Sequence, residues 1–516
     1  MRKSLCCGGV VLLCLVAPLR AAPPAPKLVQ ETWDAAYIEG AKCGYVHTTI
    51  HELNRDGQKL LRVTKSMHLQ IKRYKNVVAL RMDVGDDETP DGKVVGVSLT
   101  QYTDAGKFVL TGAVEGDNVV LRSSKDQAET KVPWDDKVLG MLRQDALFAD
   151  KKMKPGDKLE FLSFEPALPA TLNVKAAVKP AEEVDVLVAV EEDGATRVER
   201  AKKKLVRVEV VSDKVVIGGN AIQLPKLVVW LDKDFQQVRS QLELPGLGQL
   251  MLYRTTQKVA EKEGVAPALL PDLGLNTLIT LNRTIPRVHE AKSVVYRISV
   301  KGEDDAATSF VKDARQDIKK LKDDSFELTV RAIRSPAAVE NAGEPKKEYL
   351  GSSYFLDADD DKVKALARDA VGKESDPWRK AQKIEKWVHD NMQPSNAIGF
   401  ACASQIATDR QGDCRQHAML TAAMCRAAGV PARTAIGLVY VPDHDKGAVL
   451  GFHMWTEVWV KGQWLGIDAT LGQGSVGPGH LKISDHSWAD TQTLAPLLPV
   501  TRVMGKLKVE VVKMEE

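Results

Sequence analysis

Cys414, His453 and Asp468 are the residues whose types and order could carry covalent chemistry in this chain. A thiol attacks an acyl carbon after an imidazole has taken its proton, and a third group fixes the tautomer and orientation of that imidazole. The segment Gly412-Asp413-Cys414-Arg415-Gln416-His417-Ala418 opens an alanine-rich helical stretch that runs to Ala428 and is closed by Gly429 and Pro431. Cys414 is therefore expected at or near a helix N-terminus, where unpaired backbone N–H groups and the helix dipole favour the thiolate. A buried structural cysteine is the competing reading. Ala418, Ala422 and Cys425 fall on nearly one face of the helix, which lets it pack closely against a sheet. Gly451 to Val460 and Gln463 to Asp468 read as two strands joined at Lys461-Gly462, a hairpin. Counting outwards from that turn brings His453 and Asp468 towards the same end, with the register left open.

Four motifs in order carry a family resemblance: Gly412-Asp413-Cys414, Ala428-Gly429-Val430-Pro431-Ala432-Arg433, His453-Met454-Trp455-Thr456-Glu457-Val458 and Asp468-Ala469-Thr470. Together they resemble the core of the transglutaminase-like superfamily of bacterial proteins. The likeness runs from about Leu356 to Ile483 and takes in two preceding helices and the tail His480-Leu481-Lys482-Ile483. It implies an α+β, papain-like arrangement in which the nucleophile's helix packs on an antiparallel sheet bearing the His and Asp. It further implies Cys414 as nucleophile, His453 as general base and Asp468 as the group orienting His453. Met454 stands where relatives often have Ala, and Ala469 where they often have Pro; neither change removes a chemical group.

The chemistry of such a triad is acyl transfer from an amide, with water or an amine as the second nucleophile. Hydrolysis of a peptide or related amide is the favoured reading for a secreted bacterial relative, and protein crosslinking is the alternative. Water exclusion decides between them, and the expected loop Pro442 to Leu450, with Asp443, His444 and Asp445, is one place where it could be set. A secreted binding or scaffold protein with a vestigial domain is a reading of another class, and the intact triad argues against it. Redox sensing by Cys414, with Cys402 or Cys425 as resolving thiol, is a third.

The other candidates are weaker. The backbone N–H of Cys414 is the natural oxyanion donor, with Gln405 as a possible side-chain partner. His417, one turn after Cys414, reads better as packing than as part of a cleft. Trp455, Trp459 and Trp464 read as core. Asp357 to Asp361 lacks calcium-loop spacing and reads as a helix start. A Cys402 to Cys425 bridge is conceivable, but two buried thiols are favoured. No C-x-x-C pair occurs, and neither a metal nor a cofactor is expected.

The elements that must position these residues follow a change of pattern along the chain. Met1 to Ala21 reads as a signal peptide, with a short apolar run from Leu5 to Val16 and cleavage near Ala21 or Ala22. It takes Cys6, Cys7 and Cys14 with it and leaves Cys43, Cys402, Cys414 and Cys425. Leu12 and Leu13 before Cys14 argue against a lipid anchor. Residues 22–260 alternate with period two between Gly/Asn/Asp breaks and read as a β-rich region, with a helix near Asp136 to Leu147. Residues 261–285 read as a linker, 286–350 as a small β unit containing Ser293–Val300 and Phe326–Val330, and 351–516 as the α+β domain. Within it, Lys362–Val371 and Trp378–Met392 are expected helices, the second capped by Asp376 with Pro377 at its first position.

A length of 516 residues calls for several domains, and 44% hydrophobic with 27% charged residues is ordinary for a chain that folds in water. The formal charge of +3 is supplied by Arg2, Lys3 and Arg20, so the mature chain is neutral and has no footprint for nucleic acid. The expected partner is a peptide or protein amide. No transmembrane helix is expected in the mature chain, and cleavage of the signal peptide near Ala21 or Ala22 places it outside the cytoplasm, periplasmic or secreted.

Overall fold

The computed structural model describes residues 25–516, apart from 56, 104–105, 125–128, 193–194, 218–219, 223, 263–268, 303–304, 323–324, 341–342, 396–399, 446, 490 and 492. The expected signal peptide lies outside the described residues. Among the described residues no helix is long and apolar enough to cross a membrane.

The β-rich region is one antiparallel sheet of fourteen strands between Lys27 and Thr255. A twisted sheet of that size curls, and here an isolated bridge joins Val138, just past the edge strand Glu129–Pro133, to Leu162 in the other edge strand, Lys158–Glu165. The expected helix is present over Met141–Asp150. Its first turn is capped from the sheet, where Asp86 and Glu88 accept the backbone N–H groups of Met141 and Leu142 at 2.7 and 2.9 Å.

The α+β region is built on a five-stranded sheet in the order Ile279–Thr280, Gly447–Val460, Ala432–His444 and His480–His486, with Gln463–Ile467 also paired to Gly447–Val460. Helices Asp361–Val371, Pro377–Asn391, Ala403–Asp409 and Cys414–Ala427 share a core with Ala432, Met454 and Val458 of this sheet. Two of them start as their sequences dictate. Asp360 accepts from the backbone of Lys362 and Val363, and Asp376 accepts from Arg379 with Pro377 at the first position. The aspartate run is thus a helix start, and Asp357 accepts from the backbone of Ser404 at 2.9 Å.

The expected loop Pro442 to Leu450 is mostly strand. Pairing continues through Val441 and Val449 to His444 and Gly447, with a bulge between Val441 and His444. A bulge is where a strand tolerates a residue without N–H, here Pro442. Val449 and Leu450 are further held by Thr280 and Ile279.

The small sheet, Gln316–Lys320, Phe326–Arg331 and Ser293–Val300, takes its fourth strand from Leu507–Glu515. Its Val294, Tyr296 and Leu328 share a core with Leu438, Leu450 and Leu481 of the five-stranded sheet. The small sheet therefore braces the strands that carry the site. One position shows how tight that bracing is: a Cβ on Gly437, which pairs with His453 and Lys482, would lie 1.9 Å from the Leu481 carbonyl oxygen. Gly437→Ala is expected to cost roughly 1–3 kcal/mol of stability, read as a lowered midpoint in thermal unfolding.

Candidate active site

Cys414 is the first residue of helix Cys414–Ala427. Its N-cap, Asp413, accepts the backbone N–H of Arg415 at 2.9 Å, and the Gln416 side chain accepts that of Asp413 at 3.1 Å, a complete capping box. Gly412 permits this turn, because a Cβ there would come within 2.4 Å of the Gln416 Cβ. The Cys414 amide is one of the first N–H groups of the helix and has no acceptor inside it. The Asp413 carboxylate also takes the guanidinium groups of Arg415 and Arg73. Burial would raise it, but the two arginines hold it well below the usual carboxylate range.

The structure brings the three residues together. Cys414 lies near enough to His453 for its charge to raise the imidazole, and His453 Nε2 lies 2.8 Å from Asp468 Oδ2. Hairpin register explains the meeting: Val460 pairs with Gln463 and Thr456 with Ile467, so Asp468 leaves its strand just where His453 approaches on the other. Asp468 Oδ1 accepts the backbone N–H of Thr470 at 2.9 Å and of Leu471 at 3.4 Å. Thr456 Oγ1 donates to the Ala418 carbonyl at 2.8 Å and fixes the helix to the strand that carries His453.

A second imidazole, His480, sits on the same carboxylate, with Nε2 at 2.9 Å from Asp468 Oδ2. The two histidines have opposite fates. Burial pushes His453 down, but the Asp468 carboxylate and then the Cys414 sulfur raise it further, to about 10. Burial pushes His480 down to about 4, with Asp468 opposing the fall and His453 and His289 adding to it. One carboxylate offsets one imidazolium, so His480 is neutral at pH 7 and donates Nε2–H. Asp468 itself lies well below its ordinary value: burial opposes ionisation, and His453 and then His480 overcome it. His453, Asp468 and His480 also form a group that could offer three ligands to a metal. Their contacts of 2.8 and 2.9 Å are those of hydrogen bonds, and Asp468 Oδ2 already receives both.

Helix Pro377–Asn391 supports the turn after Asp468. Glu385 accepts the backbone N–H of Gly474 at 3.0 Å, and His389 Nδ1 lies 3.0 Å from the Ala469 carbonyl oxygen. Burial raises Glu385 to about 7, with the charge of Asp468 adding to the shift. Behind the site, Glu457 accepts from Arg433 at 2.8 Å and Lys482 at 2.9 Å, which links three strands of the sheet. Burial raises the Glu457 carboxyl, and these two cations bring it down to about 2.

The other candidates fall outside the cluster. Gln405 donates to Asp409 at 2.8 Å on its own helix. His417 is buried, with Nδ1 at 2.8 Å from the Asp413 carbonyl oxygen. Trp455 is core beside Ala435 and Val476, and Trp459 packs on Trp464 near the hairpin turn. Cys402 and Cys425 are free thiols, and burial pushes Cys425 up. Sequence reasoning missed His480 as a partner of Asp468, although it had marked out the tail His480 to Ile483. It also missed Glu385, His389 and Arg73, for which no local pattern exists.

Residues 364–469 match the model of the Transglutaminase-like superfamily, and this stretch, which holds Cys414, His453 and Asp468, is a transglutaminase-like domain. An uncharacterized protein of Haemophilus influenzae is 32% identical over 114 residues, 20% of this chain and 31% of that protein, so the match spans about a third of the relative's length. Among solved structures the chain is similar to a candidate cysteine protease from Cytophaga hutchinsonii, at 18% identity over 43% of this chain and 86% of that one, with a TM-score of 0.28. It is also similar to the periplasmic domain of TgpA from Pseudomonas aeruginosa, at 14% identity over 58% and 90% of the two chains, with a TM-score of 0.22. A beta-barrel-like protein from Brucella abortus matches at 12% identity over 45% and 98%, with a TM-score of 0.30. Likenesses this distant carry no statement about activity.

Proposed function

We propose that the protein is a cysteine-dependent acyl-transfer enzyme that hydrolyses peptide or related amide bonds outside the cytoplasm, with Cys414 as nucleophile, His453 as general base and Asp468 as the orienting carboxylate. The observation that carries this reading is His453 Nε2 at 2.8 Å from Asp468 Oδ2, on the strand to which Thr456 and Ala418 tie the helix that starts at Cys414. Asp468 holds His453 through Nε2, so the remaining ring nitrogen, Nδ1, is left to exchange a proton with sulfur. The thiolate adds to the amide carbon, the backbone N–H of Cys414 donates to the oxyanion, and the imidazolium protonates the departing amine. Water then attacks the thioester, with His453 as base.

The test is alkylation of the full mature chain by iodoacetamide, with the modified sites mapped by mass spectrometry because four thiols remain after the expected cleavage. Cys414 should label selectively at neutral pH, and His453→Ala should slow it by roughly 10²-fold or more. Labelling that is slow, unselective and indifferent to His453 would remove the enzyme reading. Screens with amide substrates, with and without an added primary amine, then separate hydrolysis from crosslinking.

A further inference from the structure

The β-rich region reaches the candidate nucleophile. Strands Gln58–Arg73 and Asn76–Glu88 are joined by a two-residue turn, with Arg73 paired to Asn76. Tyr74 and Lys75 form that turn at φ of 47° and 69°, a conformation that Asn-Gly would adopt more easily. Residues kept in such regions are held by their surroundings and cluster where a side chain has a task. Here the hold is explicit: Asp272 accepts the backbone N–H of Tyr74 at 2.9 Å and of Lys75 at 2.7 Å. The Tyr74 ring lies on Gly274, where a Cβ would come within 2.8 Å of it. Arg73 then donates to the carboxylate of Asp413, 340 residues away in sequence and immediately before Cys414. The turn is fixed on both sides, by Asp272 and by Asp413.

We propose that the hairpin tip is a wall of the acyl-transfer site, with Arg73 a positioning residue that acts on Cys414 through Asp413, and Tyr74 limiting the bulk of acyl donor that reaches the thiol. The inference rests on Cys414 being the nucleophile. Electrostatics agree with the placement. Burial raises the Tyr74 phenol, the Arg73 charge opposes the rise, and Cys414 and then Asp413 add to it. Arg73 likewise lies within range of both groups. The β-rich region would then have a direct part in substrate choice, favouring slender acyl groups next to the scissile amide.

The test uses the full mature chain and reads two ratios of Cys414 labelling rate. Tyr74→Ala should raise the rate with bulky N-phenylmaleimide relative to iodoacetamide by roughly 10-fold, equivalent to ~1.4 kcal/mol, and Tyr74→Trp should lower it. A variant that merely loosens the fold moves both substitutions the same way, so opposite shifts identify a wall. Arg73→Gln removes a positive charge beside the thiol and should lower the rate with iodoacetate relative to neutral iodoacetamide about 5-fold, on the scale of one near-surface charge, while Arg73→Lys should restore it. A reactive Cys414 whose two ratios stay constant across these variants overturns the hairpin inference and leaves the nucleophile standing. A Cys414 that no reagent labels in the wild type overturns both.

Discussion

Asp468→Asn is expected to lower Cys414-dependent amide hydrolysis roughly 10³- to 10⁴-fold, with the far-ultraviolet circular dichroism unchanged. Asp468 collects four hydrogen bonds, from His453, His480 and the backbone of Thr470 and Leu471. An asparagine keeps the volume but has one acceptor oxygen and turns an NH₂ group towards N–H donors. His453 then loses the charge that raises it to about 10 and the partner that fixes its tautomer. The thiol faces an imidazole that can rotate and no longer holds a proton securely. Steady-state rates on a peptide amide measure the effect, and an Asp468→Asn variant within about threefold of wild type, a loss of under 1 kcal/mol, would refute the orienting role. His480→Gln offers the contrast: it removes a neutral donor, so its effect should be much smaller.

Glu385→Gln should make the protein more stable than wild type in alkali, by up to about 3 kcal/mol at pH 8 relative to the difference at pH 5. The Glu385 carboxyl is raised from 4.5 to about 7, mainly by burial. A group raised on folding contributes stability that is fully present below its unfolded value and is lost as pH rises through its folded value. Wild type therefore pulls against the ionisation of a buried group between pH 4.5 and about 7. Glutamine carries no such charge, fills the same space and still offers an oxygen to the Gly474 N–H. Chemical denaturation of both proteins at the two pH values reads the change. A difference that is the same at both would mean that Glu385 ionises freely in the fold.

What could be read from the sequence follows the range of the interactions. Caps, turns and periodicity act over a few residues, and they located helices Asp361–Val371, Pro377–Asn391 and Cys414–Ala427 and the hairpin at Lys461-Gly462. Cys414, His453 and Asp468 stand out as candidates because their motifs are compact, and where His453 and Asp468 meet depends on a hairpin whose register only the fold supplies. His480 on Asp468, Glu385 on Gly474 and Arg73 on Asp413 span 12, 89 and 340 residues. Nothing near each residue announces its partner. The expected loop at Pro442 to Leu450 failed for a different reason. Proline and aspartates signal a break, but the bulge absorbs Pro442 and Ile279–Thr280 supplies pairing from far upstream.

The strand Leu507–Glu515 closes the small sheet against Ser293–Val300. Between them lies the whole stretch 364–469. Whether the chain emerges from the ribosome or from an export channel, Ser293–Val300 is released well before its neighbour and must wait for it. During that wait its backbone is an open edge that another nascent chain could pair with. Products that terminate before residue 507 keep that edge permanently, even with Cys414, His453 and Asp468 all present. Synthesis of Leu507–Glu515 is thus a precondition for closing the small sheet that braces the strands carrying the site.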